Sequence, residues 1–339
     1  MTLVERLVRC SSPSGDEGEV ASVVIAEMKS RGFVAREDGI GNALGTVGHG
    51  TKSIYLIGHL DTVPGDLTVR VDDGKLYGRG SVDAKGPLAT CIEAATRCAE
   101  SDAATVTVIG CVGEEADSRG ARHILETMPS PDYVVIAEPS GWAAITLGYK
   151  GSLPVRYTVT KPQTHRGAPT STVAEDAVTF YERICSAYPE RGTGFEDLTI
   201  RLTSLNTSQD VGQENAKLSL DVRTPPGFDS NAFCGLVQDA VHGATVSFGD
   251  AMPAVLRDKR NPLVRAMLAA IRSEDGQPVF KRKTGTSDMN LFQQWNVPMI
   301  AYGPGDSSLD HTPDEHLNLA EYERGIAVLK RALMNLVQG

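Results

Sequence analysis

The sequence lacks a long apolar run, since no stretch approaches the ~18 uncharged apolar residues that a membrane-spanning helix needs. Its first residues, Met-Thr-Leu-Val-Glu-Arg, also lack the basic and then apolar order of a secretory signal. These absences argue against a membrane-spanning or secreted protein. We therefore expect a cytoplasmic protein with no membrane partner.

Positive charge is in deficit as well. The chain carries 33 Lys and Arg against 43 Asp and Glu, a formal net charge of -10, and no long basic run offsets it. Such a chain repels a phosphate backbone. We therefore expect no nucleic-acid partner.

The six cysteines lack the pairing that metal and redox motifs require. None of them stands in a Cys-x-x-Cys arrangement, and most have apolar neighbours. In a cytoplasmic protein, this pattern favours buried free thiols over disulfides or a cysteine zinc site. The cysteines are Cys10, Cys91, Cys98, Cys111, Cys185 and Cys234.

What the sequence does contain is enough apolar residues, 41% of 339, to form the cores of about two domains. Short apolar runs at 53–58, 105–110 and 133–137 are typical of buried strands. Helical patterns near 87–100 and 118–127 separate these runs. This alternation predicts an α/β fold, with a mostly parallel central sheet in a three-layer domain.

The pattern changes after Gly148, where strands mix with two helices, and the first style resumes near residue 255. We therefore expect a smaller α+β domain at residues 149–254, inserted into a catalytic domain. The catalytic domain would then consist of residues 1–148 and 255–339.

Acidic and imidazole side chains gather at the ends of the predicted strands. His59 and Asp61 follow the first run, Glu114 and Glu115 follow the second, and Glu138 follows the third. Open α/β sheets bind ligands at the edge where the carboxyl ends of their strands meet. Neighbouring carboxylates such as Glu114 and Glu115 repel each other unless cations or protons neutralise them. Taken alone, however, this pair is equally compatible with a solvated loop.

Two more groups extend the pattern. Asp83 lies in the Gly-rich segment 78–86 ahead of a predicted helix, and His311 follows the last apolar run. A mixture of imidazole and carboxylate suits zinc or cobalt(II), whereas calcium and magnesium take oxygen ligands. We therefore predict a site for two divalent ions. Its ligands would be His59, Asp83, Glu115, Glu138 and His311.

Two carboxylates near these ligands are not needed to hold metal. Two ions about 3.5–4 Å apart can share a water and lower its pKa to roughly 7. Glu114 would then take the proton of this water and pass it to a leaving amine. Asp61 would hold the second ring nitrogen of His59 and fix its tautomer.

Five segments together resemble the co-catalytic zinc family of acetylornithine deacetylase, succinyl-diaminopimelate desuccinylase, aminoacylase and glutamate carboxypeptidase. The resemblance implies a zinc-binding α/β domain, interrupted by a lid or dimerisation domain, and a homodimer. It also implies a cis peptide bond after Asp83. The segments are Gly58–Pro64, Gly78–Gly86, Gly113–Glu115, Ala137–Pro139 and Asp310–Glu315.

The resemblance also implies a role for each site residue. Asp83 would bridge two zinc ions, with His59 and Glu138 completing one site. Glu115 and His311 would complete the other.

Three further roles follow from the same resemblance. Glu114 would be the general base, and Asp61 would orient His59. His165, in the inserted domain, would stabilise the oxyanion in its own or a partner subunit's site. Arg166 departs from the His-Ser order that is commoner in the family.

Within the family, the short chain and the segments Leu147–Gly151 and Lys283–Asn290 resemble the subgroup that acts on an amino-group carrier protein. This subgroup releases lysine or ornithine from the γ-carboxyl of the carrier's terminal glutamate, in lysine or arginine biosynthesis. Because such a carrier is acidic, we expect a local basic surface on this chain. The candidate residues are Arg166, Lys281, Arg282 and Lys283.

Two alternatives remain open at the level of the sequence. The chain could be an acetylornithine deacetylase, a succinyl-diaminopimelate desuccinylase or a dipeptidase acting on a small substrate. It could also be a non-catalytic relative that binds metal or peptide. Glu114 argues against the second alternative, because metal binding alone does not require this carboxylate. Cobalt(II) could replace zinc, since both accept similar ligands.

Overall fold

The computed structural model describes residues 1–98, 103–165 and 167–338, which form two compact units. The first unit comprises Met1–Gly148, Arg257–Arg282 and the chain from Ser287 onward. The second comprises Tyr149–Leu256 and Lys283–Thr286. The chain thus leaves the first unit and returns to it.

The first unit alternates strands and helices. Before residue 150 its elements are α1 Leu3–Arg9, α2 Gly18–Ser30, β1 Val34–Glu37, β2 Ala43–Val47, β3 Lys52–His59, β4 Arg70–Asp72, β5 Lys75–Tyr77, α3 Lys85–Thr96, β6 Ala104–Cys111, α4 Arg119–Thr127, β7 Tyr133–Ile136 and β8 Ala144–Tyr149.

The second unit is an antiparallel sheet with two helices. Its elements are β9 Gly151–Pro162, α5 Val173–Ala187, β10 Thr199–Asp210, β11 Gln213–Thr224, α6 Ser230–Asp239, β12 Ala244–Phe248 and β13 Val255–Leu256. The strand order is β10-β11-β9-β12. Helix α5 begins with a capping box in which Thr172 and Glu175 satisfy each other's backbone N–H groups. Phe180 of this helix stacks on Tyr157 of β9, with ring centroids 4.3 Å apart.

The chain then completes the first unit. The remaining elements are α7 Pro262–Ser273, β14 Val279–Lys283, α8 Met289–Phe292, β15 Met299–Ala301, β16 His316–Asn318 and α9 Leu319–Gln338. Short 3-10 helices occupy Gln293–Trp295 and Ser307–Leu309.

The main sheet of the first unit has a parallel centre. Its strand order includes β1-β2-β6-β3-β7-β15-β8, and the four central strands β6, β3, β7 and β15 run parallel to one another. Strands β1, β2 and β8 pair antiparallel at the two sides. The last six residues of β3 are all buried, as is typical of a parallel strand covered on both faces. The predicted α/β fold is confirmed, and its central sheet is mixed, with parallel strands in the middle and antiparallel strands at the sides.

Within the described ranges, no helix combines the length and the apolar character that a membrane crossing needs. All six cysteines are free, and five of them are buried while Cys234 is half-buried. The expectation of buried free thiols is thus correct for five of the six. Burial raises the pKa of Cys91, of Cys111 and, in the second unit, of Cys234.

We expect a thiol reagent such as Ellman's reagent to modify only Cys234 in the folded chain, because the other five sulfurs lie in the interior. All six should react after unfolding. The measurement is mass spectrometry of the labelled chain, with Cys234→Ser as the control that abolishes native labelling. Rapid native labelling of Cys91 or Cys111 would contradict this burial pattern.

Candidate metal centre

Three parallel strands deliver polar side chains to one edge of the main sheet. Strand β3 ends at His59, which lies opposite Cys111, the last residue of the parallel strand β6. Glu114 and Glu115 follow β6, and Glu138 follows β7. Parallel strands place these segments at the same edge, as the sequence pattern predicts.

Asp83 reaches this edge from the Gly-rich turn before α3. The Asp83–Ala84 peptide bond is cis, as expected. The turn is held by the buried carboxylate of Glu315, which accepts hydrogen bonds from the main-chain N–H groups of Val82 (3.0 Å) and Asp83 (3.2 Å). The guanidinium of Arg79 also donates to Glu315 at 2.8 Å. Glu315 therefore fixes the backbone that carries Asp83.

The carboxylate of Asp83 lies between two imidazoles. Its Oδ1 is 3.2 Å from Nε2 of His59, and its Oδ2 is 3.1 Å from Nε2 of His311. The same nitrogen of His311 is 2.8 Å from Oε1 of Glu115. Each oxygen of one carboxylate thus faces a different histidine, which is the arrangement that a carboxylate bridging two cations requires.

The donor set fits divalent metal. Ligand atoms of His59, Asp83 and Glu115 all lie within 4.8 Å of one another. His311 contacts two of these three residues, and the side chain of Glu138 is buried at the end of β7. Imidazole nitrogen and carboxylate oxygen together suit zinc and cobalt(II). The structure therefore brings His59, Asp83, Glu115 and His311 together, with Glu138 following the neighbouring strand.

His59 is oriented by the main chain. Its Nδ1 lies 2.9 Å from the carbonyl oxygen of Asp61 and 3.5 Å from the carboxylate oxygen Oδ1 of the same residue. A carbonyl only accepts, so Nδ1 carries a proton, and Nε2 is the ring nitrogen that is left to bind a metal ion. Asp61 therefore contacts Nδ1 of His59, and the closer contact is made by its backbone oxygen.

The carboxylate of Asp61 instead holds the loop after β6. Its Oδ1 accepts the N–H of Glu114 and its Oδ2 the N–H of Glu115, both at 3.0 Å. Its Oδ2 also accepts the hydroxyl of Ser14 at 2.7 Å. Burial disfavours the charge, yet hydrogen bonds from His59, Ser14 and Glu115 hold the pKa of Asp61 at about 2. Asp61 is thus an ionised anchor for two site residues.

The electrostatics of the site favour bound positive charge. Burial raises the pKa of Glu114 well above its usual value, and the charges of Asp288, Glu138 and Glu115 act in the same direction. Burial also raises the pKa of Asp288 to about 7. Hydrogen bonds to Asp83 and Glu115 raise the pKa of His311 to about 10. Crowded carboxylates attract cations, whether protons or metal ions.

The remaining candidates lie elsewhere in the chain. His165 is exposed on the loop between β9 and α5, in the second unit, and its Nδ1 accepts the N–H of Gly167 at 3.1 Å. Arg166 lies outside the described residues. Strand β14 contains Lys281, Arg282 and Lys283, of which Arg282 is exposed and the two lysines are half-buried.

Two residues with structural roles at this site escape prediction from the sequence. Because Glu315 follows Asp314, the sequence is typical of a solvated acidic loop. In the structure, however, Glu315 is only 1% exposed. Ser14 stands in a Ser-Pro-Ser-Gly turn that has no ligand signature. The one available signal for Glu315 is its place four residues after His311.

Comparison with known proteins agrees with this geometry. A family model described as peptidase family M20/M25/M40 matches residues 55–335. The chain belongs to this family. Family membership confirms the predicted family of co-catalytic metal hydrolases, and with it the predicted hydrolase class.

Among family M20 proteins, the LysW-lysine hydrolase of Deinococcus radiodurans is 43% identical over 357 aligned positions, covering 99% of this chain and 97% of the relative. A putative LysW-lysine/LysW-ornithine hydrolase of Pyrococcus furiosus is 38% identical over 334 positions, covering 98% and 96%. The solved structure of aminopeptidase PepT from Bacillus cereus has a TM-score of 0.80 at 20% identity, covering 99% of this chain and 97% of that one. The last similarity supports the fold.

We expect Asp83→Ala to abolish stable binding of both ions, because this carboxylate faces both histidines. Metal content per chain, measured by elemental analysis after zinc loading and desalting, checks this expectation. Asp72→Ala, which removes an exposed carboxylate on β4, is the matched control and should retain metal. An Asp83→Ala chain with full metal content would contradict the bridging geometry.

Proposed function

We propose that this protein is a dinuclear metal hydrolase that releases lysine, or ornithine, from an amino-group carrier protein. The observation that carries the proposal is the single carboxylate of Asp83 between the imidazoles of His59 and His311, with Glu114 and Glu115 on the adjoining loop. The substrate class rests on the full-length similarity to proteins named as LysW-lysine hydrolases.

In this proposal, His59 and Glu138 would hold one ion, Glu115 and His311 would hold the other, and Asp83 would be shared between the two sites. When bound, such a pair of ions lowers the pKa of a water and polarises the amide carbonyl. Zinc fits the ligands, and cobalt(II) is the proposed substitute.

Glu114 moves the proton. As a base, its carboxylate takes one proton from the attacking water while the water oxygen bonds to the carbonyl carbon. When the carbon–nitrogen bond breaks, Glu114 gives this proton to the leaving amine of lysine, and the carrier keeps a free γ-carboxylate. Glu114 is half-buried, and because burial raises its pKa, its carboxylate accepts a proton more readily than an ordinary glutamate. His165 is the proposed donor to the oxyanion.

The carrier is the proposed macromolecular substrate. Because the chain has a net charge of -10, an acidic carrier needs a local positive surface for productive encounter. We propose that Lys281, Arg282 and Lys283, together with Arg166, supply it. A homodimer, in which the second unit pairs with its copy, and a cytoplasmic location complete this proposal.

Replacing the proposed base should separate catalysis from metal binding. We expect Glu114→Gln to reduce kcat by about 10²–10⁴ while zinc content stays unchanged, because the amide has a similar shape but cannot accept the proton. Steady-state kinetics and elemental analysis of the same preparation check this.

The control for this variant is Glu126→Gln, an exposed carboxylate on α4 of the same unit, and it should behave like the unmodified chain. Full turnover by Glu114→Gln would contradict the assigned role. Loss of zinc from this variant would instead make Glu114 a ligand.

The substrate assignment predicts a clear preference. The zinc-loaded chain should remove lysine from lysine-modified LysW. Mass spectrometry of the intact carrier should then show a mass lower by one lysine residue. Acetylornithine, succinyl-diaminopimelate and dipeptides at equal concentration are the comparison substrates, and we expect a kcat/KM at least about 100-fold lower for each, a difference of about 2.7 kcal/mol. A preference for a free acylated amino acid would overturn the carrier assignment while leaving the hydrolase class intact.

A further inference from the structure

We infer that Ser14 is a positioning residue for the metal centre: its hydroxyl locks the carboxylate of Asp61 in the orientation that fixes the backbone of Glu114 and Glu115. The catalytic part of this inference rests on the proposed function. Its metal-binding part does not, since it concerns how firmly Glu115 is held.

The contacts of Asp61 show why one hydroxyl matters. Asp61 is fully buried, and both of its carboxylate oxygens receive main-chain N–H groups, one from Glu114 and one from Glu115. The hydroxyl of Ser14 makes the shortest of these contacts, at 2.7 Å. With Ser14 in place, two N–H groups and one O–H define the carboxylate plane. Without it, the carboxylate keeps the two N–H donors of the loop after β6 and the longer contact of 3.5 Å between its Oδ1 and Nδ1 of His59.

Ser14 is itself anchored to the strand end that carries Asp61. The hydroxyl of Ser12 donates to the carbonyl of Leu60 at 2.8 Å, and the N–H of Thr62 donates to the carbonyl of Ser12 at 2.9 Å. The N–H of Ser14 in turn donates to the carbonyl of Thr62 at 3.3 Å. The segment before α2 therefore runs alongside residues 60–62. These hydrogen bonds keep the hydroxyl of Ser14 next to the carboxylate of Asp61.

The other end of this segment contacts the residue that follows the loop of residues 113–118. Glu17, which is 4% exposed, accepts two hydrogen bonds from Nη2 of Arg119, at 2.8 and 2.9 Å. Arg119 begins α4, directly after the loop that contains Glu114 and Glu115. Glu17 also accepts the N–H of Gly15 at 3.0 Å, which ties the turn at Ser14 to this ion pair. The loop of residues 113–118 is therefore held at both ends by the segment 12–17.

The loop of residues 113–118 contains both a proposed metal ligand, Glu115, and the proposed base, Glu114. Glu115 faces His311, whereas the preceding residue, Glu114, is the proposed base. Adjacent side chains keep different directions only if the main chain between them does not rotate. The Ser14–Asp61 contact opposes this rotation at both N–H groups, so its loss should loosen the metal ligand and the base together.

The test compares three variants of Ser14 in the full chain. Ser14→Ala removes the hydroxyl, Ser14→Cys replaces it with a weak donor of similar shape, and Ser14→Thr retains it. Ser11→Ala is the matched control, because its hydroxyl lies on the same segment but donates to the exposed Asp66. The measurements are zinc affinity by chelator competition, thermal unfolding of the metal-free chain, and kcat and KM at saturating zinc.

We expect Ser14→Ala and Ser14→Cys to weaken the binding of one zinc ion by about 10-fold or more, and to lower kcat by about 10–100-fold with KM unchanged. Ser14→Thr should restore both quantities, and Ser11→Ala should leave both at their original values. The inference would be overturned if Ser14→Ala kept its zinc affinity and kcat. If Ser14→Ala does not fold, the same result in Ser14→Cys would overturn it. So would a lower unfolding temperature with normal zinc affinity and kinetics.

The outcomes also separate this inference from the proposed function. If the unmodified chain does not cleave lysine-modified LysW, but Ser14→Ala still weakens zinc binding and Ser14→Thr restores it, the function fails while the positioning role stands. If the chain is an active hydrolase and zinc affinity is indifferent to Ser14, the positioning role fails alone.

Discussion

The architecture of the first unit depends on one electrostatic constraint, the concentration of negative charge at the carboxyl edge of its sheet. Asp83 lies just before α3, and Glu114 and Glu115 follow β6, in a crowded region where isolated carboxylates are unfavourable. The arrangement is tolerable because the carboxylates of Asp83 and Glu115 both contact the imidazole of His311, and Asp83 also contacts His59. Asp83 illustrates this, since burial disfavours its charge, but hydrogen bonds from His311 and His59 hold its pKa below the usual value.

Main-chain groups carry much of this compensation. Asp61 binds two N–H groups of one loop, Glu315 binds two N–H groups of another, and the carbonyl of Asp61 sets the proton on His59. The proposed metal ligands Asp83 and Glu115 therefore belong to segments that are themselves hydrogen-bonded to buried carboxylates. A site built in this way has little freedom to rearrange when an ion enters, so less ordering has to accompany binding.

Sequence patterns predicted the parts of this molecule that repeat or that bear distinctive chemistry. Short apolar runs located β3, β6 and β7, and clustered acidic and imidazole residues pointed to the sheet edge where His59, Asp83, Glu115 and His311 come together. The three-residue strands β4, β5 and β16 are too short for any periodicity, and the antiparallel direction of β1 and β2 has no signature in the chain. The roles of Glu315 and Ser14 depend on contacts across the fold, which local sequence does not encode.

The position of His311 links metal capture to synthesis of the chain. His311 contacts Glu115, a residue that precedes it by 196 positions. A ribosome-bound chain has therefore produced His59, Asp83 and Glu115 long before the last imidazole emerges. The contacts of His311 with Asp83 and Glu115 can therefore form only after residue 311 has been synthesised.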